Sequence, residues 1–115
     1  MAKKFAAAIN YIDGCVQKPV ARYLQKSFDI DHVDMITGPG PGKILSEDTK
    51  VHAVEFLKKN VEISVKKHNS QIIAIVSHYD CTGSLENEHV QKEHLQKAAN
   101  VILSWGFPVK KIIAL

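Results

Sequence analysis

Short apolar runs alternate along this chain with longer stretches in which apolar residues recur every three or four positions. The run at residues 72–77 has no polar alternation, which is typical of a strand buried on both faces. We predict four strands, at residues 5–12, 33–37, 72–77 and 109–115. The helical spacing predicts three helices, at residues 19–28, roughly 47–68 and 84–105.

This alternation predicts one α/β domain over residues 1–115. The expected architecture has three layers: a four-stranded parallel sheet in the order 2-1-3-4, with helices on both faces. Pro19 suits the first turn of the first helix, where its missing N–H is not needed. Residues 38–43, rich in glycine and proline, predict a tight strand-to-helix connection. They are not a P-loop, because Thr37 and Ile44 replace residues that this motif requires.

Composition and charge limit the classes of binding partner and the cellular location that we expect. The chain has 115 residues, 45% of them hydrophobic and 23% charged, which is typical of a globular domain. The net charge is only +3 and the lysines are scattered, so we expect no nucleic-acid partner. No apolar run reaches membrane-spanning length, and the apolar start is too short for a signal peptide. We therefore expect a cytoplasmic protein without a membrane partner.

Candidate chemistry follows the first and third strands. With the strand order 2-1-3-4, the loops after these strands meet at the switch point of the sheet, where open α/β sheets bind ligands. The first loop carries Asp13 and Cys15, and the second carries His78 and Cys81. Imidazole and thiolate three residues apart can share a soft metal ion such as zinc. Structural roles also fit: Asp13 as a turn residue bonding the following backbone, Cys15 as a small buried residue, and residues 78–81 as a structural loop.

The two loops together resemble the motifs of the β-class carbonic anhydrases, in particular their short, minimal form. That family has Cys-x-Asp-x-Arg after the first strand and His-x-x-Cys after the third. His78 and Cys81 preserve the second motif. In the first motif Asp13 is kept, whereas Tyr11 stands in place of the cysteine and Cys15 in place of the arginine.

The resemblance implies zinc-dependent hydration of carbon dioxide, with carbon dioxide or bicarbonate as the substrate. It implies Asp13 as the catalytic residue. Because the first motif is altered, one possible set of metal ligands is Asp13, His78 and Cys81, with water or Cys15 as the fourth ligand. Tyr11 is a poor replacement for a thiolate, since zinc prefers sulfur and nitrogen donors. We therefore expect weak or lost activity. The family's crevice lies near a subunit interface, so we also expect a homodimer or a higher homo-oligomer.

Two other functions fit the same residues. The first is a non-catalytic relative that keeps the fold as a binding or structural protein, with an empty or inert metal site. The second is a thiol redox protein that uses Cys15 and Cys81 across the crevice, although neither lies in a Cys-x-x-Cys motif.

Overall fold

The computed structural model of the chain describes residues 3–46, 51–76 and 88–115, with side chains in the last range described from residue 92. Four strands and four helices alternate along these ranges. They are β1 (Phe5–Tyr11), α1 (Gly14–Phe28), β2 (His32–Gly38), α2 (Pro41–Ser46), α3 (Val51–His68), β3 (Ile72–Ile75), α4 (Glu88–Ser104) and β4 (Lys111–Ala114).

The four strands form one sheet in the order β2-β1-β3-β4, and every pairing is parallel. This confirms the predicted α/β fold and its strand order. The centre of the sheet is β1, where Ala8 lies opposite Met35 of β2 and Ala74 of β3. Because β1 has a neighbour on each side and helices on each face, six of its seven residues are buried.

Alternate residues of β1 point into two different helix layers. Ala7 and Ile9 belong to the larger core, which β2 and β3 complete with α2, α3 and α4. Ala6 and Ala8 face the other way, and Ala8 packs with Leu24 of α1. The layer of α1 therefore covers one face of the sheet, and the layer of α2, α3 and α4 covers the other. The small alanines of β1 let both layers approach closely.

The helices differ from the sequence prediction in two ways. Helix α1 begins at Gly14, so Pro19 lies inside the helix and not in its first position. Pro19 has no N–H to donate to the carbonyl four positions earlier, and a proline this close to the start of a helix interrupts only one bond of the helical ladder. The second difference is α2, a short helix that the periodicity did not indicate.

The glycine- and proline-rich loop is the tight connection that we predicted. Strand β2 ends at Gly38 and α2 begins at Pro41, the first helical position, where a proline is favoured. Gly40 has a φ of +69°, which glycine adopts without strain. Its carbonyl accepts the first helical hydrogen bond from Ile44 at 3.1 Å. The conformational requirement at Gly40 explains why a glycine is placed between the two prolines.

Candidate functional site

The carboxyl ends of β1 and β3 lie side by side, as the strand order requires. Just after the last paired residue of β3, Val76 donates its N–H to the carbonyl of Ile9 at 3.1 Å. The chain therefore leaves β3 beside the end of β1. On the other side, Ile12 donates to the carbonyl of Gly38 at 3.0 Å. The loop after β1 is described in full. His78 and Cys81 lie outside the described residues, so their metal-binding role stays a prediction.

Asp13 occupies the N-cap position of α1, with φ −62° and ψ 123°. Its carboxylate forms no capping hydrogen bond to the helix, so the interpretation as a turn residue that bonds the following backbone is wrong. The side chain is half-buried. It lies beside the first turn of α1. Asp13 is therefore a carboxylate held at the carboxyl edge of the sheet with its oxygens not committed to the helix.

Cys15 lies in the first turn of α1 and is exposed, which rules out the small buried residue considered above. Its sulfur is disulfide-bonded. The only other cysteine in the sequence is Cys81, which is not among the described residues. A sulfur in a disulfide is not a thiolate, and only the thiolate ligates a metal. The prediction that Cys15 is a metal ligand therefore applies to the reduced protein alone.

Two amide side chains hold the loop that carries Asp13. Asn10 is completely buried in β1. It donates to the carbonyl of Val16 at 3.4 Å and accepts from the N–H of Tyr11 at 2.7 Å. Gln17 donates to the carbonyls of Tyr11 and Ile12, at 3.2 and 3.1 Å. The end of β1 is therefore tied to the first turn of α1. Sequence reasoning missed both amides, because nothing local in the pattern marks them.

The donor atoms of the predicted ligands are of the kinds that zinc binds. A carboxylate oxygen from Asp13, an imidazole nitrogen from His78 and a thiolate from Cys81 are all donors that zinc accepts. Within the described ranges, no three His, Cys, Asp or Glu side chains are grouped closely enough to hold a metal ion. Tyr11, which stands where the family's first thiolate is expected, is buried at the end of β1. Of the four predicted ligands, Asp13 and Cys15 lie among the described residues, and their metal-binding role stays a prediction.

The fold and this edge define the class of protein: a parallel α/β domain whose candidate site lies at the switch point of its sheet. A sequence model of the family described as "Putative carbonic anhydrase" matches residues 1–115. The chain belongs to that carbonic-anhydrase-like family. Searches of the curated proteins and of the solved structures found no match. None of the described helices is long and apolar enough to span a membrane.

Proposed function

We propose that this protein is a zinc-dependent protein of the carbonic anhydrase type, with weak or lost activity in hydrating carbon dioxide. The family match over residues 1–115 carries the proposal. The uncommitted carboxylate of Asp13 at the switch point supports it, because a carboxylate that capped α1 would not be available to a metal ion or a water molecule.

In this proposal Asp13, His78 and Cys81 hold the zinc ion, and Cys15 can join them when it is reduced. When bound, zinc lowers the pKa of a coordinated water molecule so that it becomes a nucleophile near neutral pH. The chain itself places Asp13 through the amide contacts of Asn10 and Gln17. These contacts fix the course of the backbone on either side of Asp13.

Two departures from the family's motif explain the expected weakness. The phenol of Tyr11 replaces a thiolate, and a phenol is rarely ionised near neutral pH because its ordinary pKa is about 10. The family's arginine is replaced by Cys15. Among the described side chains, no lysine or arginine forms an ion pair with Asp13. No described cation therefore keeps the carboxylate in place for a hydrogen bond to substrate or water.

One observation favours a second candidate function. Cys15 is exposed and disulfide-bonded, as a thiol redox protein would require in its oxidised form. A disulfide within the chain uses both cysteines of the sequence, so the oxidised form lacks both candidate thiolate ligands and cannot bind zinc through sulfur. Measuring zinc content before and after reduction separates the two functions. A redox protein without a metal site would take up no zinc in either state.

The decisive experiment compares the natural protein with Tyr11→Cys, Cys15→Arg and the double variant, all reduced. Tyr11→Cys should retain zinc roughly tenfold better with little gain in rate, and only the double variant should also hydrate carbon dioxide faster. Zinc content, hydration rate and the count of sulfur ligands by X-ray absorption are the measurements. Tyr23→Cys on the exposed face of α1 is the control for an added thiol, and Cys15→Ser is the control for the lost disulfide.

Two outcomes would contradict the proposal. The natural protein could already hydrate carbon dioxide rapidly, which would mean that having Tyr11 and Cys15 in place of the family's cysteine and arginine does not impair activity. Alternatively, the double variant could gain neither zinc nor rate over Tyr23→Cys and Cys15→Ser. Either result would show that Tyr11 and Cys15 do not occupy the positions of the family's cysteine and arginine.

A further inference from the structure

A groove of about 400 Å³ runs between the edge strand β2 and helix α3, and neither Asp13 nor Cys15 is among its lining residues. Its volume lies in the range of small-molecule sites. The two elements give it two chemically different parts, a carboxylate end and an apolar wall. We call it the β2–α3 groove; the lining residues used below are Asp34, Thr37, Phe56, Asn60, Ile63 and His68.

The carboxylate end is a fixed arrangement of hydrogen bonds. Asp34 Oδ2 accepts from Ser64 Oγ at 2.7 Å and lies 2.7 Å from His68 Nδ1. Ser64 is also bonded to Ser70, and both serines are buried, so the carboxylate cannot rotate freely. The imidazole of His68 is stacked on Phe5, with 4.2 Å between ring centroids. These contacts hold Asp34 in one orientation at the groove.

Asp34 is not paired with a lysine or an arginine among the described residues; its one ion-pair partner is His68, which carries a charge only when its imidazole is protonated. The hydrogen-bond partners of Asp34 are a hydroxyl and this imidazole. Its second oxygen, Oδ1, accepts no hydrogen bond from the described residues. The side chain is 27% exposed, so a ligand can reach it. A partly buried carboxylate with an unused oxygen is complementary to a cation that donates hydrogen bonds.

The apolar wall is formed by one face of α3. Phe56 and Ile63 are seven positions apart and therefore lie on the same side of the helix, with Asn60 between them. Their side chains are 65% and 48% exposed, so both are accessible to a ligand. An apolar body placed along this wall would remove both side chains from water. Thr37 and Asn60 add hydrogen-bonding groups along the same groove.

We propose that the β2–α3 groove binds a small organic ammonium ion that carries an aryl or alkyl body. Asp34 is the counter-ion of the ammonium group, and Phe56 and Ile63 contact the apolar body. The face of an exposed phenylalanine ring also attracts cations, which adds to the preference for a positive ligand. This site is separate from the candidate zinc site and does not depend on the proposed hydration activity.

The test is a titration of the ¹⁵N-labelled full chain with 2-phenylethylamine, followed by two-dimensional NMR. A ligand of this size should bind with a dissociation constant on the order of 1 mM. Shifts should concentrate at residues 34–37 and on the exposed face of α3. Two probes with the same ring, 3-phenylpropanoate and 3-phenylpropan-1-ol, should bind much more weakly, because they lack the positive charge.

Variants locate the site. Asp34→Asn keeps the shape and removes the charge, and it should weaken binding of the amine about tenfold. Phe56→Ala should weaken it about threefold. Leu103→Ala on α4, also a highly exposed apolar side chain, is the matched control and should change nothing. If Asp34→Asn does not fold, added salt provides the same test in the natural protein: it should weaken the amine and leave the alcohol unaffected.

Several results would overturn the proposal. These are equal binding of the alcohol and the amine, an effect of Leu103→Ala as large as that of Phe56→Ala, or no saturable shifts. Signals at the groove that move with protein concentration in the absence of amine would show that a second copy of the chain occupies it, and would also refute the proposal.

Discussion

Replacing Ser64 by alanine should destabilise this protein far more than the loss of a surface hydroxyl would. Ser64 Oγ lies 2.7 Å from Asp34 Oδ2 and 2.7 Å from Ser70 Oγ. Ser64 is 2% exposed and Ser70 is fully buried. The two bonds connect the last turns of α3 to the edge strand β2 and to the segment that enters β3. Their loss therefore affects three elements at once.

The magnitude follows from what each partner loses. A hydrogen bond from a hydroxyl to a carboxylate contributes about 1.5–3 kcal/mol, and a buried hydroxyl left without its partner costs about 1–3 kcal/mol. Asp34 is partly exposed and can regain a water molecule, so the lower part of the first range applies. We expect Ser64→Ala to lower the free energy of unfolding by about 3 kcal/mol.

The control is Ser104→Ala, the same substitution at an exposed serine whose hydroxyl bonds within its own helix. Its effect should stay within about 0.5 kcal/mol. Ser70→Ala leaves the bond between Ser64 and Asp34 intact and should cost about 1 kcal/mol. The double variant Ser64→Ala with Ser70→Ala removes the hydroxyl that Ser64→Ala leaves without a partner. Its loss should therefore be smaller than the sum of the two single losses.

Urea denaturation followed by circular dichroism measures all four variants against the natural protein, with a constant m-value as the check on two-state unfolding. Strict additivity of the two single changes would refute the direct bond between the two serines. A loss for Ser64→Ala no larger than that for Ser104→Ala would refute the whole network.

Three further predictions test the loop, a turn and the assembly. Asn10→Asp should lower stability by about 3 kcal/mol or more in thermal unfolding, because a buried carboxylate would face the carbonyl of Val16; an unchanged melting temperature would contradict this. Gly40→Ala should lower the free energy of unfolding by about 1 kcal/mol because Gly40 has a positive φ. Gly14→Ala in α1 should raise it by about 0.5–1 kcal/mol. If urea denaturation shows that both substitutions stabilise or both destabilise the protein, these backbone conformations are wrong. Light scattering should give the mass of a dimer or a larger assembly, and a monomer mass at high protein concentration would rule out the expected homo-oligomer.

The alternation of short apolar runs with helical periodicity determined the fold class of this protein. The order of elements along the chain predicted a parallel sheet with right-handed crossovers. The strand order 2-1-3-4 was expected because doubly wound sheets of this size commonly have it. The same reasoning located the loops after β1 and β3 at one edge of the sheet. The loop at residues 38–43 was predictable too, because glycine and proline restrict the backbone locally. These features depend on residues close together in the chain.

Only the tertiary structure decided which polar side chains meet. Asp34 and His68 are 34 positions apart, and no spacing rule connects them. They meet because the register of β2 in the sheet places Asp34 beside the end of α3. The start of α1 at Gly14 likewise depends on the contacts of Asn10 and Gln17, since Pro19 alone indicated a later start. Local preferences select the elements, but the packing of the elements against each other selects the hydrogen bonds, and these define both the β2–α3 groove and the position of Asp13.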